Sequence, residues 1–434
     1  MVLLGTFKNI FRVSELRRKL FFVLGVLVVY RIGSILPVLG VNVQALAAYM
    51  QQATNLGTMF SYLDTFSGSA FGKCTLFALG ISPYITASIM MQLLGMTVPS
   101  LEQLLKEGEF GRKVFNQYTR YLTLGLSLVY ATSYAAFLES QGLALSGGFG
   151  FRIPFILSLT AGALFVMWLG EQISVYGIGN GASVIIFAGI VARFPDYIVK
   201  TYSYVEMGTL GLVTALLIWA FFLLIMACVV YVEKGERKIP VQYARRVVGN
   251  KIYAAQSTYI PFKVNAVGVM PVIFASSMLQ MPMYIIGMLA SYFPALKFLP
   301  ERFAVGGAMY NVLTFALILF FTYFYTALIF DPNKLAQDMK KSGGFILGLR
   351  PGKKTADFFD YILNRLGLIG ALYLAFLAIL PNLLPAIVTM PFYLGGTSLL
   401  IVVGVALEFS SQIEAYLIEH RYEGFLVSGR LKAR

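Results

Sequence analysis

Long apolar stretches alternate with short charged ones along most of the chain. A membrane-spanning helix needs about 20 apolar residues to cross roughly 30 Å of hydrocarbon, and the stretches between successive charged residues reach this length repeatedly. The stretch 366–407 is too long for one span and is divided by prolines and by the Gly395-Gly396 pair. The pattern predicts ten spanning helices, spans one to ten, near 20–38, 75–96, 121–138, 153–171, 182–198, 209–231, 266–290, 307–330, 366–384 and 394–414.

The composition is typical of a chain that lies mostly within a membrane. Of its 434 residues, 58% are hydrophobic and 12% are charged, about half of the roughly 25% charged share of soluble domains. These proportions exclude a cytosolic globular enzyme and a disordered chain. The two cysteines, Cys74 and Cys228, are too few for a disulfide framework. We therefore predict an all-α polytopic membrane protein.

The basic residues predict how the chain is oriented, because Lys and Arg concentrate on the cytoplasmic side of membrane proteins. With a cytoplasmic N-terminus, ten spans place 27 of the 34 basic residues on the inner side, and both termini are cytoplasmic. The inner loops 232–263 and 331–365 hold seven basic residues each. They are longer than a connection needs, and a basic platform suits lipid headgroups or ribosomal RNA. Six basic residues lie on the outer side: Lys73, Arg152, Arg193, Lys200, Lys297 and Arg302.

The number of spans predicts a division into two halves. Each half has five spans, an odd number, so the halves 20–198 and 209–414 enter the membrane from opposite sides. This is the arithmetic of an inverted-topology repeat. The segments 1–19 and 415–434 are predicted to be cytosolic.

The spans carry little of the chemistry that transporters and enzymes use. Ion-coupled transporters hold ionisable residues near mid-membrane, whereas only Arg31 lies well inside a predicted span here. The single histidine, His420, excludes multi-His metal sites. The glycine-rich run 177–181 lacks the spacing of a dinucleotide fingerprint and predicts a tight turn that opens span five. We expect no catalysis, no cofactor and no bound metal.

Two features leave alternatives open. The segment 56–73 is apolar and aromatic but is broken by glycines and Asp64. It predicts either a surface helix outside the membrane or a re-entrant segment that fills a cavity. Spans two and seven carry short polar groups close to Ile81, Ile85 and Ile273. Such groups usually serve helix packing, and a pore or an opening seam is the alternative.

Many separate runs, in order over nearly the whole chain, resemble the SecY family, that of the central subunit of the bacterial protein-conducting channel. The resemblance rests on all the runs together. They are YRIGS (30–34), FALGISPYITASI (77–89), KEGEFGR (106–112), QYTRY (117–121), MWLGEQI (167–173), GIGNGASVIIFAGI (177–190), YAAQSTYIPFKVN (253–265), PVIFASS (271–277), FYTALIF (324–330), LRPG (349–352) and PFYLGGTSLLIVV (391–403).

The resemblance implies two halves of five helices around an hourglass pore, with a re-entrant plug helix before span two. The implied ring of apolar side chains at the constriction is Ile81, Ile85, Ala182, Ile186, Ile273 and Ile401. Ala182 departs from the bulkier residue usual at its place. The implied plug is about 59–73, with Phe60, Leu63, Phe66, Ser67, Gly68, Ser69, Phe71 and Gly72. The implied lateral gate is formed by Thr86, Ser88, Ile89, Gln92, Ser276, Ser277 and Gln280.

The resemblance also implies a function and its partners. Secretory polypeptides cross a passive channel, and transmembrane segments leave it sideways into lipid, driven by the SecA ATPase or the ribosome. These partners dock on the basic loops, with Arg245, Arg246, Lys251 and Arg350 as candidate contacts. SecE and SecG subunits, signal sequences, nascent polypeptides and anionic lipids are further implied partners, and the location is the bacterial cytoplasmic (inner) membrane. A secondary transporter of a small molecule and a scaffold that only docks ribosomes remain as alternatives.

Overall fold

The structure is a computed structural model that describes residues 13–51, 64, 67–145, 147–243, 246–248, 251–253, 257–265, 267–292, 307–383 and 395–431. This part of the chain contains fourteen helices and five strands. The helices are α1 (Ser14–Gly33), α2 (Val43–Gln51), α3 (Ser82–Thr97), α4 (Pro99–Lys106), α5 (Glu109–Ser140), α6 (Phe149–Tyr176), α7 (Gly181–Val191), α8 (Phe194–Glu206), α9 (Leu212–Glu233), α10 (Met270–Tyr292), α11 (Ala308–Ile329), α12 (Pro332–Lys341), α13 (Lys353–Leu383) and α14 (Gly396–Leu431). The strands are β1 (Glu236–Tyr243), β2 (Arg246–Val248), β3 (Lys251–Tyr253), β4 (Ser257–Lys263) and β5 (Gly344–Phe345).

Each predicted span coincides with a helix or a helix pair. By length and apolar composition, seven helical segments of the described residues can cross a membrane, or eight if α3 and α4, bent by 99°, form one span. Two more helices, α1 and α10, lie at spans one and seven. The described residues are therefore consistent with ten spans, and the mostly helical membrane fold is confirmed, although the basic loops add strands that were not predicted.

The ends of the helices differ from the predicted ends for physical reasons. α5 begins at Glu109 and α13 at Lys353, well before the predicted spans, because an apolar pattern marks only the part of a helix inside hydrocarbon. Span five is divided into α7 and α8, since Pro195 lies in the first turn of α8. α1 ends at Gly33, so Arg31 lies in its last turn. Arg31 therefore lies nearer the end of its helix than the predicted span, 20–38, implied.

One apolar core runs through the membrane helices of both predicted halves. Two sets of helix contacts join the predicted halves. α10 packs against α3 and α5, and α14 packs against α7. α9 buries Ile218 and Phe222 in this core and exposes Leu216 and Leu224 on its other side. Lipid tails are as apolar as leucine, so such an exposed face is stable in a bilayer.

The two long basic loops fold together into a small subdomain, here called the basic subdomain (232–263 and 331–365). β1 pairs antiparallel with β4, which places Ile239 opposite Ile260, and the end of β1 pairs with β5 through Gln242 and Phe345. The sheet order is β4-β1-β5. The subdomain has an apolar core separate from that of the membrane helices, formed by Ile239, Val241, Phe262, Ala336, Met339, Ile346, Ala356, Phe359, Ile362 and Leu363.

No strand was predicted in these loops, because their charge dominates a search for membrane spans. A signal was nevertheless present in the sequence. Ile239 and Val241 alternate with Lys238, Pro240 and Gln242, and alternate residues of a strand point to opposite faces. Both apolar residues are buried in the subdomain core.

Candidate pore and lateral gate

The six residues implied as a pore ring all lie in or against the apolar core of the membrane helices, on or next to α3, α7, α10 and α14. Each of the five isoleucines is at most 6% exposed, and all five belong to one buried cluster: Ile81, Ile85, Ile186, Ile273 and Ile401. Ala182 is half-buried and packs against the same cluster. The end of the Ile81 side chain also lies beside α6, because a Cβ added at Gly170 would be 3.0 Å from Ile81 Cδ1.

Local structure at the start of α7 positions Ala182 and Ile186. The side-chain oxygen of Asn180 accepts hydrogen bonds from the amides of Ala182 and Ser183 at 3.1 and 3.4 Å. An N-cap of this kind satisfies amides that have no partner within the helix. The tight turn predicted to open span five is confirmed. Ala182 and Ile186 are four residues apart and therefore share one face of α7.

The seam between α3 and α10 carries polar side chains, but their contacts are long. Thr86 is fully buried; its Oγ1 atom donates to the Ser82 carbonyl at 3.1 Å and lies 3.5 Å from the Ser277 carbonyl across the seam. Tyr130 of α5 donates to Thr86 Oγ1 at 3.5 Å. Contacts of 3.5 Å are at the long limit of hydrogen bonding, so the seam is held mainly by packing.

Further along the seam, Gln92 bonds to a residue that sequence reasoning missed. The hydroxyl of Tyr325 on α11 donates to Gln92 Oε1 at 2.5 Å, and the Gln92 amide donates to Ser88 Oγ at 3.3 Å. The FYTALIF run contains Tyr325, but the pattern did not indicate its contact with α3. Ile89 and Ser276 are buried beside this seam. Gln280 lies on α10, and its side chain is outside the described residues.

Only part of the implied plug lies within the described residues; Phe60, Leu63 and Phe66 are outside them. Asp64 and Ser67 have helical backbone, and 68–74 form turns. The ring of Phe71 stacks on Tyr134 with centroids 4.3 Å apart, and the Tyr134 hydroxyl donates to the Phe71 carbonyl at 2.8 Å.

The remaining implied plug residues form a compact group. Ser67, Gly68 and Phe71 are buried, while Ser69 and Gly72 are partly exposed. Gly68 has a positive φ of 66°, and a Cβ there would be 2.9 Å from Gly189 Cα on α7. Only glycine permits both this backbone conformation and this close approach.

The structure also brings together Asp64 and Arg193, which had no connection in the sequence analysis. Asp64 was regarded as an interruption of an apolar segment, and Arg193 as a basic residue of an outer loop. Asp64 Oδ2 lies 3.1 Å from Arg193 Nη2, and both side chains are about one-eighth exposed, at 12% and 13%. The two residues are far apart in the chain, so no local pattern indicated the ion pair.

Of the four candidate contacts in the basic loops, Arg350 is described in full. It is exposed in the turn between β5 and α13, where its carbonyl accepts from Thr355 Oγ1 at 3.0 Å. Arg246 and Lys251 lie on β2 and β3, which pair as a hairpin; their side chains, and all of Arg245, are outside the described residues.

Lys238, on β1 of the basic subdomain, is positively charged at neutral pH. The exposed ammonium of Lys238 lies 3.2 Å from Glu236 and over the ring of Tyr259. These two neighbours, Glu236 foremost, raise the pKa of Lys238 above its ordinary value. Lys238 is therefore charged at neutral pH, as one half of an ion pair with Glu236.

The family model and the similar sequences of known proteins indicate the same family. A family model described as SecY matches residues 75–410. The chain is 43% identical over 426 residues to the protein translocase subunit SecY of Aquifex aeolicus (strain VF5), covering 96% of this chain and 98% of that protein.

Solved channels have a similar fold. A structure of a SecY protein, described as having a plug domain that stabilises the closed state of the translocation channel, gives a TM-score of 0.63 at 20% identity over 92% of both chains. Sec61 in the canine ribosome-channel complex from the endoplasmic reticulum gives 0.62 at 20% identity, also over 92% of both chains. At these identities the structures show the fold alone, whereas the family follows from the sequence matches. The chain belongs to the SecY family.

Proposed function

We propose that this chain forms the pore of a Sec-type translocon, a passive channel for secretory polypeptides that also releases transmembrane segments sideways into lipid. The observation that carries the proposal is that Ile81, Ile85, Ala182, Ile186, Ile273 and Ile401 lie in or against one apolar core, which is shared by helices of both predicted halves. The polar α3–α10 seam lies next to this cluster, since Ile85 and Thr86 are adjacent on α3.

An apolar ring suits a channel that must pass any sequence. Specific polar groups would bind some polypeptides and stall them, whereas isoleucine side chains contact all of them weakly. A narrow hydrophobic constriction also loses its water when empty and so blocks ions. Both requirements, loose contact and a tight seal, are met by the same side chains.

Lateral release needs no energy source within the chain. An apolar segment gains about 0.3–0.6 kcal/mol per Leu or Ile on entering the bilayer centre, so the lipid sorts segments once the seam opens. The long 3.5 Å contact of Thr86 with Ser277, which crosses the α3–α10 seam, offers little resistance to opening. We assign the lateral gate to Thr86, Ser88, Ile89, Gln92, Ser276, Ser277 and Gln280.

A plug and two halves complete the proposal. We assign the plug to about 59–73, in line with the SecY relative of similar fold whose plug domain is described as stabilising the closed state. The halves 20–198 and 209–414 open at the seam. Both termini lie in the cytoplasm, and the membrane is the bacterial inner membrane.

The basic subdomain is the proposed docking surface for the SecA ATPase or the ribosome. Its two loops hold fourteen basic and six acidic residues, and exposed basic groups attract the phosphates of RNA and of anionic lipids. Sec61, of similar fold, was solved in a ribosome-channel complex. Arg350 is exposed there, and Arg245, Arg246 and Lys251 lie in or next to the β2–β3 hairpin. SecE and SecG are the proposed further subunits.

The rival function, a secondary transporter of a small molecule, predicts saturable uptake by this chain alone in proteoliposomes. It has no support, because the relatives are named as translocase subunits. A scaffold that only docks ribosomes predicts that no nascent chain reaches the helices.

Crosslinking tests the proposal against both alternatives. A secretory chain stalled in the assembled complex is expected to crosslink to cysteines placed at Ile85, Ile186 and Ile273. A cysteine at the lipid-facing Leu216, which is 64% exposed, is the control and should not react. Absence of crosslinks at all three ring positions would contradict the proposed pore.

A further inference from the structure

Asp64 holds together the described part of the plug segment through both its carboxylate and its backbone carbonyl. Its Oδ1 atom accepts from the Gly72 amide at 2.7 Å, and its carbonyl accepts from Ser67 Oγ and the Ser69 amide, each at 3.1 Å. The hydroxyl of Ser67 in turn accepts from the Phe71 amide at 3.0 Å. Asp64 and 67–72 are therefore bonded into one unit, which moves as a whole if Asp64 moves.

The other carboxylate oxygen ties this unit to span five. Asp64 Oδ2 lies 3.1 Å from Arg193 Nη2, and Arg193 is at the break between α7 and α8. Because both side chains are about seven-eighths buried, loss of either partner leaves a poorly solvated charge. The other contacts of the unit with α1 are weaker: Tyr30 and Arg31 donate to the Ser67 and Gly68 carbonyls at 3.4 Å.

Span five also carries the ring. Ile186 lies on α7, and Arg193 follows the end of α7 by two residues, so movement of α7 carries both. Gly68 touches the same helix at Gly189. Movement of α7 relative to the other helices of its own half, which would widen the ring at Ile186, therefore moves Arg193 relative to Asp64.

We propose that Arg193 is a positioning residue that holds the plug segment in the closed pore through Asp64 and releases it when span five moves. This inference rests on the proposed function, in which the segment is a plug. It states that the position of the plug depends on the width of the ring, and that the Asp64–Arg193 ion pair provides this dependence.

The native cysteine Cys74 offers a direct measure of the position of the segment. It follows the segment, is fully buried, and its amide bonds to the Phe71 carbonyl at 2.9 Å. Burial raises the pKa of the Cys74 thiol to about 12, so the thiolate that reacts is scarce while the segment is in place. The only other cysteine, Cys228, is exposed, and Cys228→Ser leaves Cys74 as the single thiol.

The experiment measures how fast a water-soluble maleimide labels Cys74 in the idle, assembled complex of Cys228→Ser variants. Asp64→Asn keeps an oxygen for the Gly72 amide and removes the charge; Arg193→Gln removes the other charge. Each is expected to raise the labelling rate by about tenfold, because a buried pair that loses one partner no longer favours the closed position. The double variant should label no faster than the faster single variant, and Arg193→Lys should stay near the parent rate.

Arg152→Gln is the matched control. Arg152 pairs with Glu139, whose carboxylate also accepts from a backbone amide, that of Gly148, and neither this ion pair nor this hydrogen bond involves Asp64 or 67–72. Arg152→Gln should leave Cys74 labelling unchanged. Parent-like labelling in both Asp64→Asn and Arg193→Gln, or an equal rise in Arg152→Gln, would overturn the inference.

The labelling result and the crosslinking result can differ, so this inference and the proposed function are tested separately. If stalled chains crosslink to the ring while the ion-pair variants label at the parent rate, the pore stands and the role of Arg193 is wrong. If the ion-pair variants label faster but no chain reaches the ring, the pair positions the segment and the pore assignment fails. Where one of the two neutralised variants does not assemble, the other decides, because Asp64→Asn and Arg193→Gln break the same ion pair. Faster labelling in the variant that assembles supports the inference, and the parent rate in it overturns the inference.

Discussion

The hydroxyl of Tyr325 donates a 2.5 Å hydrogen bond to the side-chain oxygen of Gln92 and so joins α11 to α3 across the two predicted halves. The ring of Tyr325 also packs against Phe274 of α10, with centroids 4.8 Å apart. One side chain therefore contacts both walls of the proposed lateral gate. Among the described contacts at this seam, the Tyr325–Gln92 bond is shorter than those of Thr86 with Ser277 and Tyr130.

Tyr325→Phe removes this bond and keeps the ring. A typical hydrogen bond contributes about 1 kcal/mol net. Its loss should lower the ratio of closed to open seams roughly fivefold. We expect more efficient export of a reporter whose signal sequence has been made less apolar, measured by pulse labelling in cells. Tyr323→Phe, at an exposed tyrosine of the same helix, is the control. Equal export in both variants would show that the bond does not hold the gate.

Arg350→Glu reverses a charge on the proposed docking surface. Because Arg350 is exposed, the fold should be unaffected, whereas SecA-driven translocation of a preprotein into vesicles should fall severalfold. Lys341→Glu makes the same change in net charge at another exposed site of the basic subdomain and should have a smaller effect. Normal translocation by the Arg350 variant would remove this residue from the docking surface.

Asn180→Ala removes the N-cap of α7. The loss of such a cap costs roughly 0.5–2 kcal/mol, and here the first turn of the helix carries Ala182 of the ring. We expect a lower midpoint of thermal unfolding and a higher resting ion conductance. Asn42→Ala removes a comparable contact, since Asn42 accepts from the Ala45 amide at the start of α2, and should leave the conductance unchanged. A conductance equal in the two variants would contradict the role given to the cap.

The sequence predicted the membrane helices well because hydrocarbon imposes a length and an apolar composition on every span. It placed the turn before α7 correctly, since glycines at 177, 179 and 181 and the N-cap residue Asn180 are local signals. Ala182, Ile186 and Ile401 came to notice only through the family resemblance, because nothing local distinguishes Ile401 from the other apolar residues of its helix.

Contacts between distant residues could not be predicted in the same way. The Asp64–Arg193 ion pair, the Tyr325–Gln92 bond and the pairing of β1 with β5 all join segments far apart in the chain. Charge patterning identified the two basic loops, but their shared core of Val241, Phe262 and Phe359 depends on the folded arrangement.

The resting ion conductance of the assembled complex in planar bilayers tests the closed apolar ring most directly. Ile273→Asn and Ile401→Asn each place an amide in the ring and should raise the conductance, because a hydrated constriction no longer excludes ions. Leu400→Asn is the matched control: Leu400 is as deeply buried as Ile401 and next to it on α14, yet it is not a ring residue. It should leave the conductance at the parent value. A parent-like conductance in both ring variants, or the same rise in Leu400→Asn, would contradict the ring.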